Sequence, residues 1–241
     1  MKSKKQNKID LAKFKLKSQT LDKFADGLNT KLKQVENTYI HGESIIKDKC
    51  RTAIYDNIKK MFPLAETLNT FTLGGEKLVT EIMLSKFYKL NGKSYEFNEN
   101  TIEKAKNNAP KGIEIVGGDI FSHVYKGVEQ FIWFDFMTTL RPDNIINLIK
   151  WLSNNPIKND CVFAVTYTLH SRKVGEGYKQ LFGTEEAHNE YIDRMGSIIG
   201  TNLVNQFVGI KGGIKVIRYC NTDINKRSLP MVQYIFNLHK K

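Results

Sequence analysis

Along the middle of the chain stand Gly74-Gly75, Glu96, Asp119 and Asp135, followed by His170. Paired glycines let a backbone pass close to a ligand, and amides at the start of a helix offer donors to an anionic group. Glu96 lies twenty-one residues past Gly75, about the spacing at which an acidic side chain accepts hydrogen bonds from ribose hydroxyls in nucleotide-binding α/β sheets. Asp135 sits in QFIWFDFMTT (130–139), flanked by Trp133, Phe134, Phe136 and Met137. A carboxylate there loses several kcal/mol to desolvation unless it meets a donor, a ligand or water, which makes it a candidate functional residue. His170, in TLHSRK, is a second one. Each residue also has a plain reading: the glycines as an ordinary turn, Glu96 as a solvated strand end, Asp119 as a turn aspartate bonding its own backbone, and His170 as a polar strand end.

Position gives these residues a common meaning. From Asn69 onward the hydrophobic periodicity alternates between strand and helix, the signature of an α/β domain. NTFTLGG (69–75) reads as a strand, 76–90 as a helix, KSYEFNEN (93–100) as a strand, and 101–109 as a helix ended by Pro110. GIEIVGGDIF (112–121) and FIWFDF (131–136) are strands, 142–155 a helix opened by Pro142, and DCVFAVTYTLH (160–170) a strand. After a helix over 184–203 capped by Thr184, strands 213–222 and 231–238 are too closely spaced for a crossover helix, so they pair antiparallel. In a parallel sheet every strand ends on the same side, so the glycines, Glu96, Asp119, Asp135 and His170 converge on one edge. Tyr167 and the loop 171–177, with Arg172 and Lys173, could face an anionic acceptor there.

The amino-terminal quarter differs. Residues 1–20 read as a Lys-rich tail, and residues 21–66 as a helical extension: Leu21, Phe24, Leu28, Leu32, Val35 and then Ile45, Ile46, Cys50, Ala53, Ile54, Ile58 recur at helical steps. The extension would cap the main domain, 67–241, or bind a partner. Of the net charge of +12, residues 1–60 hold +8, from 15 Lys and Arg against 7 Asp and Glu. Such an arm is drawn to a polyanion, and DNA or RNA is the commonest one in a cell. With 31 Lys and only 6 Arg, the excess also fits the codon bias of an A+T-rich genome. No apolar run approaches the roughly 20 residues of a membrane span, and no apolar segment follows MKSKKQNK. The expectation is a cytoplasmic protein, or one of the host-cell interior if viral, with no membrane partner. Cys50, Cys161, Cys220 and the histidines His41, His123, His188 and His239 show no metal-ligand spacing.

The succession TFTLGGEKLVTEI, SYEFNEN, VGGDIF, FIWFDF, VFAVTYTL and the terminal hairpin resembles the class I S-adenosylmethionine-dependent methyltransferases over about residues 69–238. The resemblance implies a seven-stranded Rossmann-like sheet, mostly parallel, whose last strand is antiparallel. It also implies S-adenosylmethionine as cofactor, with Gly74 and Gly75 at its methionine part, Glu96 on the ribose, Asp119 by the adenine, and Asp135 facing the methyl group and acceptor. Two departures stand out: the glycine turn holds two glycines where the family often has GxGxG, and Asp135 is followed by Phe-Met-Thr-Thr, not the Pro-Pro-Tyr/Phe of many enzymes that methylate base amino groups. Three functions follow in order: a methyltransferase acting on DNA or RNA, a methyltransferase-like binding or assembly module without catalysis, and a nicotinamide dehydrogenase, which the terminal hairpin opposes.

Overall fold

The computed structural model describes residues 35–39, 45–169, 182–205, 207–222 and 228–241. In chain order the elements are β1 (Val35–Tyr39), α1 (Ile45–Met61), β2 (Thr67–Leu73), α2 (Val79–Ser85), β3 (Lys89–Glu96), α3 (Glu99–Asn108) and β4 (Ile113–Gly117). Then follow β5 (Phe131–Thr139), α4 (Pro142–Asn154), β6 (Cys161–Thr168), α5 (Glu185–Leu203), β7 (Val208–Thr222) and β8 (Ser228–Lys240).

Eight strands among the described residues form one sheet in the order β1-β7-β8-β6-β5-β2-β3-β4. β2, β3, β4, β5 and β6 pair parallel wherever they are neighbours, and β8 runs antiparallel to both β6 and β7. The expected hairpin is therefore present, with β8, last in the chain, inserted between β6 and β7. All eight residues of β6 are buried, as they must be in a strand covered on both faces. One face carries α4 and α5 over Phe71, Phe134, Phe163 and Tyr234. The other carries α1 and α2 over Leu68, Trp133, Ala164 and Ile217.

Three elements depart from the sequence expectation. Val35, expected to end the first amphipathic helix, begins β1, which pairs parallel with β7 along the sheet edge; the rest of that expected helix lies outside the described residues. The helix expected over 76–90 is only Val79–Ser85. β3 starts at Lys89, not 93, because Lys89–Ser94 pair in register with Thr67–Thr72 of β2. The helix at 45–61 is a cap: Cys50, Ala53, Ile54 and Ile58 are buried against the sheet, and Asn237 of β8 donates its side-chain amide to Asn57 at 2.8 Å.

Candidate active site

β2, β3 and β4 step outward in one direction, and the chain then returns past β2 to lay down β5 and β6. The strand order thus reverses between β2 and β5. Connections leave in opposite directions at such a point, so a crevice opens beyond the carboxyl ends of the strands. A cleft of about 450 Å³ lies there, lined by residues 73–77, Val79 and Thr80 after β2, Glu96 and Phe97 after β3, Trp133, Asp135, Phe136 and Thr138 of β5, and Arg51 of α1. The volume is that of a small-molecule site.

Register explains why distant residues meet. Leu73 lies opposite Phe134, and Thr72 opposite Ser94, so Gly74, Glu96 and Asp135 arrive level with one another at the sheet edge. Beyond Asp135, which faces Thr166, β5 uses three residues where β6 has one before Thr139 meets Thr168. Such a bulge bends a strand and re-aims its side chains. Phe136 stays buried while Thr138 is exposed on the cleft wall.

The glycine turn has its own geometry. Gly75 has φ +66°, a left-handed conformation that favours glycine. At Gly74 a Cβ would strike the Glu81 carboxyl and come within 2.8 Å of Leu78 Cδ2. Leu78, buried and left-handed at φ +45°, sits just before α2. The expected helix start directly after the glycines is therefore absent, and α2 begins at Val79.

Glu96 is half-buried, and its Oε1 accepts the Asn98 amide at 3.0 Å. Phe97 beside it is 77% exposed, a flat apolar face at the cleft. Asp135 is half-buried between Phe134 and Phe136. The charges of Asp135 and Arg51 both reach the Tyr219 hydroxyl, whose pKa is raised mainly by burial, further by Asp135 and Cys50, and lowered by Arg51.

Of the residues expected from sequence, Gly74, Gly75, Glu96 and Asp135 share this cleft. Asp119 is exposed, outside the lining, and its Oδ1 accepts the Phe121 amide at 3.0 Å as the cap of the helical turn Ile120–Ser122. His170 and the loop 171–177 lie outside the described residues. Tyr167 does not face an acceptor: it is fully buried, its ring 5.4 Å from Phe136, because β6 is covered on both faces.

Arg51, Phe97, Thr138 and the buried Glu81 escaped the sequence reading. Thr80, Glu81 and Leu84 are the buried positions of α2, so the readable signal was a carboxylate on the apolar side of a short helix.

No protein-family model and no curated protein matches the sequence. Among solved structures, the chain is similar to the methyltransferase domain of bacterial CtHen1-CN, at 11% identity over 80% of this chain and 99% of that one, with a TM-score of 0.48. It is similar to an RNA methyltransferase from Salinibacter ruber in complex with S-adenosyl-L-homocysteine, at 15% identity over 47% and 74%, with a TM-score of 0.36. It is also similar to the METTL16 methyltransferase domain, at 7% identity over 78% and 66%, with a TM-score of 0.46. The order and direction of the strands carry the assignment on their own. With seven of its eight described strands running one way, its inserted antiparallel last strand and its crevice at the point of reversal, the chain has the Rossmann-like fold of the class I methyltransferases.

Proposed function

We propose that the protein is an S-adenosylmethionine-dependent methyltransferase. The observation that carries this reading is the convergence of Gly74, Gly75, Glu96 and Asp135 on one cleft at the point of strand reversal.

The cleft suits such a cofactor. Its lining holds two cations, Arg51 and Lys77, and three carboxylates, Glu76, Glu96 and Asp135, a mixture that matches a ligand carrying a carboxylate, an ammonium and a sulfonium. The backbone at Gly74 and Gly75 presents no side chain to a ligand. Glu96, with one oxygen already holding the Asn98 amide, has the other for ribose hydroxyls, and Phe97 offers an adenine a stacking face. When bound, S-adenosylmethionine supplies an electrophilic methyl group. The protein's part is then to hold donor and acceptor in line and exclude water. Asp135 orients the acceptor or takes its proton, Arg51 and Thr138 contact it, and His170 is a second candidate base. We assign the acceptor to nucleic acid on the strength of the basic amino-terminal quarter and the Arg51 cation at the cleft.

A second reading, a binding module without catalysis, is favoured by the thin glycine turn, in which a leucine holds a left-handed position. Ligand binding without methyl transfer to any RNA or DNA would select it.

Thermal unfolding with S-adenosylmethionine, S-adenosylhomocysteine and NAD tests the cofactor. At about 100 times its dissociation constant a ligand adds roughly 2.7 kcal/mol, which at this size raises Tm by about 5–10 °C. The shift is expected with S-adenosylmethionine and S-adenosylhomocysteine, not with NAD, and is lost in Glu96→Ala. An unchanged Tm at millimolar ligand rejects the cofactor assignment.

A further inference from the structure

Glu81 lies directly behind the glycine turn and contributes nothing to the cleft surface. It is fully enclosed, at 1% exposure. Its Oε1 accepts the Thr72 hydroxyl at 2.6 Å and the Ser94 hydroxyl at 3.5 Å. The Ser94 oxygen in turn accepts the Gly74 amide at 3.2 Å. The turn is thus tied to the carboxyl by a relay from Gly74 N–H through Ser94 to Glu81, and the space a Cβ on Gly74 would need is filled by that carboxyl. Oε2 has no hydrogen-bond partner among the described residues.

A second observation concerns strain. Leu78 at φ +45° costs about 1–2 kcal/mol relative to a right-handed residue, and such a conformation persists only where its surroundings over-determine it. Its side chain is buried against Gly74. Three residues later, Glu81 anchors the first turn of α2 to both β2, through Thr72, and β3, through Ser94.

We propose that Glu81 is a positioning residue of this site: a buried carboxylic acid that holds the Gly74-Gly75 turn in ligand-binding shape through Ser94 and Thr72, in its protonated form. The inference rests on reading the cleft as the cofactor site. With Oε1 accepting from two hydroxyls, the proton belongs on Oε2. Burial raises the pKa of this carboxyl, against hydrogen bonds from the Thr72 hydroxyl and the Glu81 backbone, which lower it; Asp135 on β5 is the ionisable group whose charge raises it further, and the Ser94 hydroxyl lowers it. Ionisation would place a second negative charge behind a turn that already faces Asp135, without a donor for Oε2. Binding of a ligand that carries a carboxylate is then weakened as pH rises.

The test compares the wild-type full chain with Glu81→Gln and Glu81→Ala. Two readouts are needed: hydrogen exchange at the Gly74 amide, which requires no ligand, and the affinity for S-adenosylhomocysteine from about pH 6 to about pH 9. Glu81→Ala is expected to speed Gly74 exchange about tenfold or more with β6 amides unchanged, and to weaken the ligand by a similar factor. Glu81→Gln keeps the Gly74 protection and the affinity at low pH, and binds with a flatter pH profile than wild type; titration of the ligand itself is common to both and cancels. Wild-type exchange at Gly74 in Glu81→Ala, or a Glu81→Gln profile that follows wild type, overturns the proposal. If wild type binds no ligand, the cofactor reading fails and Gly74 exchange still decides the positioning role. If Glu81→Ala does not fold, Glu81→Gln decides: loss of Gly74 protection overturns the proposal, and retained protection with a flattened exchange profile against pH supports it.

Discussion

Gly74 and Gly75 are glycines for different reasons. Gly74 is not left-handed but has no room, because the Glu81 carboxyl and Leu78 Cδ2 occupy the space of a Cβ; Gly75 has open space where a Cβ would stand and a left-handed backbone. The two alanine variants should therefore separate. Gly75→Ala is expected to cost about 1–2 kcal/mol, the left-handed penalty alone, and to keep the cleft. Gly74→Ala is expected to cost about 1–3 kcal/mol from overpacking and also to displace Glu81 and abolish ligand binding. Chemical denaturation and calorimetry on both variants check this; equal ligand affinity in the two would refute the close contact at Gly74. The glycine pair was visible in the sequence as a candidate turn. The carboxyl beneath it was not, because Glu81 is seven residues away and meets Gly74 only once α2 has folded back.

Individual elements are joined by a few polar contacts of uneven strength. The Arg218 guanidinium of β7 reaches the Asp193 carboxylate of α5 at 2.6 Å, with the Arg218 side chain 8% exposed. Removing the acid leaves a buried cation without its carboxylate, which costs about 3–5 kcal/mol, whereas replacing both charges with apolar groups is often close to neutral. Asp193→Ala should therefore lower stability by about 3 kcal/mol, and the double variant Asp193→Leu, Arg218→Met should recover most of it, as read by urea unfolding. A double variant no more stable than the single would show that the ion pair is not what joins α5 to the sheet. The surface pair Lys106–Glu103, with both side chains more than half exposed, carries no comparable weight. Strong hydrophobic periodicity made α4, α5, β5 and β6 readable in advance. α2 and the start of β3 were not: KLNG (89–92) has little strand character of its own, and its pairing with β2 makes it one.

At the scale of the whole molecule, charge and fold divide the chain at different places. Residues 1–60 carry the basic excess, yet β1 and α1 within them belong to the sheet and its cover, and Arg51 reaches the cleft. A truncation that tests the basic arm has to stop at residue 34. Residues 1–34 hold 10 Lys against 3 Asp. Their deletion should make the affinity for RNA or DNA fall less steeply with salt, each lost phosphate contact reducing the slope by about 0.7–0.9. An unchanged slope would place any nucleic-acid contact on the folded body. No described helix is long and apolar enough to cross a membrane.

The sequence by itself determined the alternation of strands and helices, the antiparallel ending and the row of glycines and acids at strand ends. These are local facts, set by periodicity, turn residues and the rule that parallel strands end on one side. Only the tertiary structure decided which of those residues share a cleft, because that depends on strand order and register. It placed β5 beside β2, so Asp135 came level with Gly74 and Glu96, while Asp119, at the end of the outermost strand β4, was left to cap a turn. It brought Arg51 to the site from a helix outside the strand-helix repeat, and it closed Glu81 behind the glycines, where a carboxyl's surroundings, not its neighbours in sequence, set its protonation.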